Sequence, residues 1–288
     1  MNTTIKLNKD YWKRIFPSLK YGTADPLQVF SDDEEKFSRA MKAFKINGVN
    51  KNTRSNRHKE TQSFLSKWIT NINQPLIILD IGASDGTTSL DFMQSIDSSY
   101  KKYYVTDYNI QCSYAFYKKE TFFFNKQDNC FLVASKRFVF YPEHKWLFNL
   151  FFKSKINKIK NESKKDLLLI NKDLQNKKEI DTRIKVMQYN IFEQWPYEKA
   201  DLIIVGNLLH EVYFTKSEIK SALINCYNAM SENARLVVIR NVADKSGKEI
   251  EISSVYQKNY LKNRLENIKE INGGVEINDF LLSIEFEA

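Results

Sequence analysis

Three cysteines in 288 residues, Cys112, Cys130 and Cys226, are too few and too scattered for a disulfide framework. No Cys-x-x-Cys spacing offers a zinc site either. No apolar run approaches the roughly eighteen residues that a membrane-spanning helix needs. The first residues, Met1-Asn2-Thr3-Thr4-Ile5-Lys6, hold no apolar stretch of the signal-peptide kind. Together these absences lead to the expectation of a reduced, cytoplasmic protein. What the chain does have is apolar material, 42% hydrophobic and 14% aromatic. That suffices for one large domain, or one domain with an added lobe, and excludes low-complexity disorder over most of the chain.

Lys and Arg number 44 against 35 Asp and Glu, a net charge of +9. An excess of this size favours anionic partners such as nucleic acid, acidic lipid or phosphorylated substrates. Its location sharpens the point. Residues 109–182 hold fifteen Lys and Arg against eight Asp and Glu, so +7 of the total lies there and the remainder is nearly balanced.

The first seventy or so residues read as a helical preface. Ser31-Asp32-Asp33-Glu34 has the form of a capping box, and Phe37, Met41 and Phe44 follow at helical spacing. A second helix carries Phe64, Leu65, Trp68 and Ile69 on one side and stops before Pro75. From Leu76 the texture changes. Leu76-Ile77-Ile78-Leu79-Asp80-Ile81-Gly82 is a short apolar run bounded by Pro and Gly, as in a strand buried on both faces. Further strands are expected at Tyr103–Asp107, Arg183–Gln188, Asp201–Gly206 and Arg235–Arg240, with helices at Thr87–Ile96 and Ser217–Met230. Such alternation implies a mostly parallel sheet with helices on both faces. At the C-terminus a helix is expected near Val255–Leu265, then a hairpin turn at Asn272-Gly273-Gly274 and a final strand over Phe280–Phe286.

Ligands of such sheets bind beyond the carboxyl ends of the strands, at the switch point. Asp80-Ile81-Gly82-Ala83-Ser84-Asp85-Gly86 supplies two glycines at that place but lacks the Gly-x-Gly-x-x-Gly of a dinucleotide site. The acids Asp80 and Asp85 suit a cationic ligand better than a pyrophosphate. Asp107, twenty-one residues past Gly86 at the end of the second strand, is placed to accept hydrogen bonds from ribose hydroxyls. With these residues the chain resembles the class I S-adenosylmethionine-dependent methyltransferases. Their first motif reads acidic-x-Gly-x-Gly-x-Gly, and residues 80–86 match three of its four positions, Ser84 standing at the middle glycine. The resemblance covers Leu76–Thr106 and Arg183–Asn241.

What the resemblance implies is an α/β, Rossmann-like fold. It would have a seven-stranded, mostly parallel sheet with an antiparallel C-terminal hairpin strand. The resemblance does not reach the first seventy residues or 109–182; the sequence pattern itself reads a helical N-terminal cap over 1–73 and a catalytic domain over 74–288, with a mixed hairpin and helix insertion at 109–182 as a substrate-side lobe. The implied cofactor is S-adenosyl-L-methionine, leaving as S-adenosyl-L-homocysteine. Asp80 and the backbone of Gly82, Ala83, Ser84, Asp85 and Gly86 would surround its amino-acid part, and Asp107 its ribose. Asn190 and Ile191 would lie by the adenine, and the Asp201–His210 stretch, Asn207 included, beneath the sulfonium.

Methyl transfer is an in-line displacement, so positioning carries most of the rate, and a base is needed only if the acceptor must lose a proton. His210, just past the fourth strand, is the candidate base for a hydroxyl or carboxyl acceptor, or else packs beneath the loop; Glu211 and Tyr213 are alternatives. His58 and His144 are read as surface residues. No Asp/Asn-Pro-Pro-Tyr/Phe follows the fourth strand and no cysteine follows proline. These absences argue against amino- and C5-methylation of nucleic-acid bases. Fourteen of the thirty-nine residues Tyr114–Phe152 are aromatic. Such a segment serves as the core of a lobe, a dimer interface, a wall for a small-molecule, lipid or glycan acceptor of anionic kind, or a membrane-surface contact through 144–160. Stacking of RNA bases, or a protein substrate, is the less favoured alternative, and a non-catalytic cofactor-binding module a further one.

Overall fold

The structure is a computed structural model that describes residues 24–46, 49–51, 54–72, 74–136, 138–142, 145–244 and 246–286. His144 and most of the first half of the expected N-terminal cap lie outside the described residues. The described parts of 1–53 and 109–175 form one compact unit, and those of 54–108 and 176–288 another.

The second of these is the sheet unit, and the labels used below refer to it. Its strands are β1 (Leu76–Ile81), β2 (Tyr100–Asp107), β3 (Ile184–Gln188), β4 (Ala200–Gly206), β5 (Met230–Ala243), β6 (Glu249–Asn259) and β7 (Arg264–Ile271), in the order β3-β2-β1-β4-β5-β6-β7. The first five run parallel, and β6 and β7 each pair antiparallel with their predecessor. The chain thus builds outward from β1 in one direction, then returns to β1's other edge and builds the opposite way. This is the doubly wound, Rossmann-like arrangement, with its switch point between β1 and β4. Its helices are α1 (Lys59–Ile72), α2 (Thr87–Ser95), α3 (Lys172–Ile180, which begins in the other unit), α4 (Lys216–Ala229) and α5 (Asn278–Leu282).

Period two decides which side chain goes to which face. Leu79 and Ile81, Ile203 and Val205, and Leu236 and Val238 share one core with Ile219, Ala222, Leu223 and Cys226 of α4. On the opposite face Asp80 meets Ser89 of α2, and Thr61 of α1 meets Ser253 of β6. The helix ends are satisfied by side chains. Glu251 of β6 accepts from the Glu60 and Thr61 N–H groups at the start of α1. Thr215 and Glu218 form a capping box on α4. Lys258 donates to the Tyr227 and Met230 carbonyls at the other end of α4.

Two expectations for the C-terminal region are corrected. Val255–Leu265 is not a helix but the end of β6, a turn with Asn263 at φ 47°, and the start of β7. The alternation Glu249-Ile250-Glu251-Ile252 and the β-branched Val255 outweigh the helical spacing. Asn272-Gly273-Gly274 is a turn, all three residues having positive φ, but it leads into α5 rather than into a strand over 280–286. Ile277, Leu281 and Ile284 recur at helical spacing and enter the core.

The other unit holds a five-stranded antiparallel sheet. Its strands lie in the order Val139–Phe140, Cys130–Ser135, Glu120–Phe124, Gln111–Tyr117, Lys165–Leu168. The run Phe122-Phe123-Phe124 alternates between two cores. Phe123 packs with Phe37, Met41 and Phe44, whereas Phe122 and Phe124 pack with Leu147, Phe148 and Phe152. The helix carrying Phe37 is Glu34–Met41, and its N-cap is Asp33. Ser31, expected as the cap, instead accepts the Asp33 N–H. Asp33 wins because its carboxylate reaches the Lys36 N–H directly, at 3.0 Å.

Candidate functional site

The turn between β1 and α2 lies at the switch point. Gly82, Ser84 and Gly86 take φ of 74°, 60° and 81°, so three of five residues are left-handed. Gly86 is the N-cap of α2. A side chain at Gly82 would bring its Cβ to 3.2 Å from Leu208 Cδ2 in the turn after β4. Glycine is thus needed there both for conformation and for approach of the two turns. The turn is pinned by Ala83 N–H to the Thr106 carbonyl and Gly86 N–H to the Ala83 carbonyl, both at 2.9 Å. The Asp85 carboxylate, fully buried, accepts the Thr87 N–H at the start of α2.

Asp107 closes the far side. Its Oδ2 accepts the Ser84 N–H at 2.9 Å, which brings the second-strand acid against the middle of the turn. A carboxylate has several lone-pair sites and can accept further donors. Asp80 is placed differently. It is buried beneath the turn, with Oδ2 accepting from Ser89 Oγ at 2.7 Å and more distantly from Tyr103 OH. Burial pushes its pKa up to about 6, the two hydroxyls opposing the shift and the Asp107 charge adding to it. Asp80 is therefore a support of the turn whose charge is costly to hold.

On the β3 side, Asn190 accepts the Phe192 N–H and donates to Glu193 Oε1, both at 3.2 Å, so its amide closes a local turn. Ile191 is buried in the main core, and its carbonyl accepts from Asn225.

The turn after β4 contains a cluster that the sequence did not reveal. Asn207, at φ 54°, accepts the Asn241 N–H on Oδ1 at 2.7 Å and donates from Nδ2 to Asn241 Oδ1 at 2.9 Å. His58 Nε2 lies 3.1 Å from Asn241 Oδ1 and 3.2 Å from Asn207 Nδ2. The His58 ring packs so tightly that a Cβ on Gly206 would meet its Cε1 at 3.1 Å. His58, expected at the surface, is instead buried, and burial with the neighbouring Arg57 charge lowers its pKa to about 4. His58, Asn207 and Asn241 are far apart in sequence and share no motif; only the fold joins them. Asn207 is thereby a latch between β4 and β5, its amide fully engaged.

His210 follows three residues later. Its Nδ1 accepts the Val212 N–H at 3.3 Å, and its ring lies 4.3 Å from that of Tyr213. Burial, then the Arg240 charge, lowers its pKa. The neutral ring therefore carries its proton on Nε2. Glu211 is exposed and pairs with Lys216. Among the described residues no cluster of three or more His, Cys, Asp or Glu could hold a metal ion.

No protein-family profile matches the chain, and no curated protein matches it in sequence. Solved structures do. The N-methyltransferase NodS of Bradyrhizobium japonicum WM9 in complex with S-adenosyl-L-homocysteine is 12% identical, covering 67% of this chain and 65% of its own, at a TM-score of 0.33. The trans-methyltransferase CalH, also in complex with S-adenosylhomocysteine, is 14% identical over 83% of this chain and 47% of its own, at 0.38. The methyltransferase domain of a citrinin polyketide synthase is 12% identical over 78% of this chain and 44% of its own, at 0.40. The chain thus spans about half to two thirds of the length of these structures.

Proposed function

We propose that the sheet unit binds S-adenosyl-L-methionine across the carboxyl ends of β1 and β4 and transfers its methyl group to a hydroxyl or carboxyl of a small-molecule, lipid or glycan-type acceptor of anionic character. The observation that carries this reading is the β1–α2 turn. Three left-handed residues open its backbone at the switch point, and two carboxylates, Asp80 beneath and Asp107 beside, give it negative potential. That donor set fits a ligand with a cationic amino-acid end and a ribose, and it does not fit a pyrophosphate. When bound, the cofactor supplies an electrophilic methyl on a sulfonium. Asp107 would accept from the ribose hydroxyls, and the Gly82–Gly86 backbone would line the amino-acid part. Asn190 and Ile191 would border the adenine through their backbone, since the Asn190 amide is engaged locally. Asn207, held by Asn241, fixes the turn that passes beneath the reacting centre.

His210 bears on the acceptor. With Nδ1 occupied by the Val212 N–H, its Nε2–H is a donor, suited to hold an acceptor oxygen rather than to take its proton. That favours a carboxylate acceptor, which has no proton to lose.

Calorimetry with S-adenosylmethionine is the primary test. The wild type is expected to bind, and Asp107→Ala to weaken binding by roughly ten- to a hundred-fold, the value of a hydrogen-bond pair to a charged group. Absence of binding by the wild type defeats the cofactor reading. For the acceptor, labelled-methyl transfer into fractionated cell extract identifies the fraction. With that acceptor, His210→Gln is expected to raise KM with little loss of kcat, while a kcat that collapses and loses its pH dependence marks His210 as a base.

A further inference from the structure

Residues 145–160 contain five lysines and no acidic residue. The segment is helical from Lys145 to Ile156, widening to a π turn over Asn149–Lys153. Its inner face is anchored. Leu147, Phe148 and Phe152 are buried, with Phe152 5.1 Å from Phe140 and 6.1 Å from Phe122, ring centre to ring centre. Its outer face is apolar as well. Trp146 is 68% exposed, Leu150 69% and Phe151 46%. Trp146 and Leu150, four residues apart, lie one above the other on the helix. One exposed apolar side chain needs no explanation, whereas three large ones on adjoining turns mark an interaction surface.

Part of the charge around this patch is committed and part is not. Lys155 is held by Glu120 at 2.6 Å and Lys164 by Asp128 at 2.5 Å. Lys145, Lys153, Lys158 and Lys160 are exposed and make no ion pair among the described residues. An apolar stripe rimmed by free lysines, on a helix whose opposite face is fixed in a core, has the composition of an interfacial helix. No described helix is long and apolar enough to cross a membrane, so the segment would lie along a bilayer surface.

From this juxtaposition we infer that the Lys145–Lys160 segment docks the protein on a bilayer rich in anionic lipid. Trp146, Leu150 and Phe151 enter the acyl boundary, and the lysines meet the headgroups. A second copy of this chain is a poor occupant, because it would set the same lysines against each other. Nucleic acid would gain from the lysines and the rings but leave Leu150 without a use. The inference does not rest on the methyl-transfer reading.

The test is flotation of the full-length protein with phosphatidylcholine vesicles, with and without phosphatidylglycerol, at low and high salt. Binding is expected only to the anionic vesicles, weakening with salt. Each neutralising change, Lys145→Gln, Lys153→Gln or Lys158→Gln, is expected to lower partitioning about five-fold. The double change Trp146→Ser, Leu150→Ser is expected to abolish it with the melting temperature held, since both side chains face solvent. A blue shift of tryptophan emission on vesicle binding should vanish in Trp146→Phe. Equal binding to both vesicle types, or none, overturns the inference. So does a dimer in sedimentation velocity that Trp146→Ser dissociates, or RNA binding that survives where vesicle binding is absent. No activity is read, so the outcome is independent of whether the cofactor reading stands.

Discussion

Asp80 and His58 are buried ionisable side chains whose titrations oppose each other. The Asp80 carboxyl titrates near 6 in the folded chain because burial disfavours its charge. The folded state then keeps a proton that the unfolded chain has released. Stability accordingly falls as pH rises from about 4 to 6, by about 3 kcal/mol. His58 is lowered to about 4 by burial, so below pH 6.5 the unfolded chain takes up a proton that the folded one refuses. Stability there rises with pH by a similar amount, about 3 kcal/mol between pH 4 and 6.5. The two slopes nearly cancel in the wild type. Denaturant titrations across this range are expected to separate them. Relative to wild type, Asp80→Asn should be progressively more stable from pH 4 to 7, and His58→Gln should lose least at pH 4 and most at pH 7. Parallel curves for either variant would contradict the assigned burial. Asp80→Asn should also bind S-adenosylmethionine more weakly while melting higher, because the same charge that costs stability attracts the cationic ligand.

At the scale of the element, the β1–α2 turn was legible because backbone geometry and residue type are tied there. Gly82 and Gly86 are where a left-handed backbone is required, and the Asp at the end of β2 accepts an N–H from the middle of the turn. The β4 turn was half legible. Asn207 directly follows β4, but its amide is spent on Asn241, and its neighbour His58 comes from the start of α1. Nothing local in the sequence encodes that meeting. Residues 255–265 form strand and turn rather than the expected helix because their apolar spacings are compatible with either period. The β-branched and alternating residues upstream were the better guide. Two substitutions in the β1–α2 turn test its reading. Gly82→Ala must hold φ 74° and press its Cβ toward Leu208, so it should lose about 1–2 kcal/mol of stability and detectable cofactor binding with it. Ser84→Gly relieves a left-handed serine at the cost of a looser unfolded chain, and should change stability by less than about 1 kcal/mol while retaining binding. Thermal melts and calorimetry on the pair decide it; a Ser84→Gly that loses binding would show that the serine side chain itself takes part.

At the scale of the molecule, the chain divides its apolar residues between separate cores. Leu79, Ile203, Leu223 and their neighbours fill the sheet unit, and the aromatic run Phe122-Phe123-Phe124 fills both faces of the other. This explains why the insertion is so aromatic. A five-stranded sheet of short strands, covered on both sides, needs large side chains to bury enough area. It also explains why the insertion was legible as structure and not as function: the same rings that build a lobe's core resemble, in sequence, rings that line a pocket. Among the described residues of the insertion Phe116 is exposed by itself on its strand, whereas Trp146, Leu150 and Phe151 are exposed together on one short helical segment. Separate cores carry a thermodynamic consequence, since a chain of this kind departs from two-state unfolding. Scanning calorimetry is expected to resolve two transitions. S-adenosylmethionine should raise one of them, by mass action on the unit holding the β1–α2 turn, and leave the other in place. Gly82→Ala should cancel the ligand-induced shift, whereas Trp146→Ser should leave it intact. A single transition that moves as a whole with ligand would show that the two cores unfold as one.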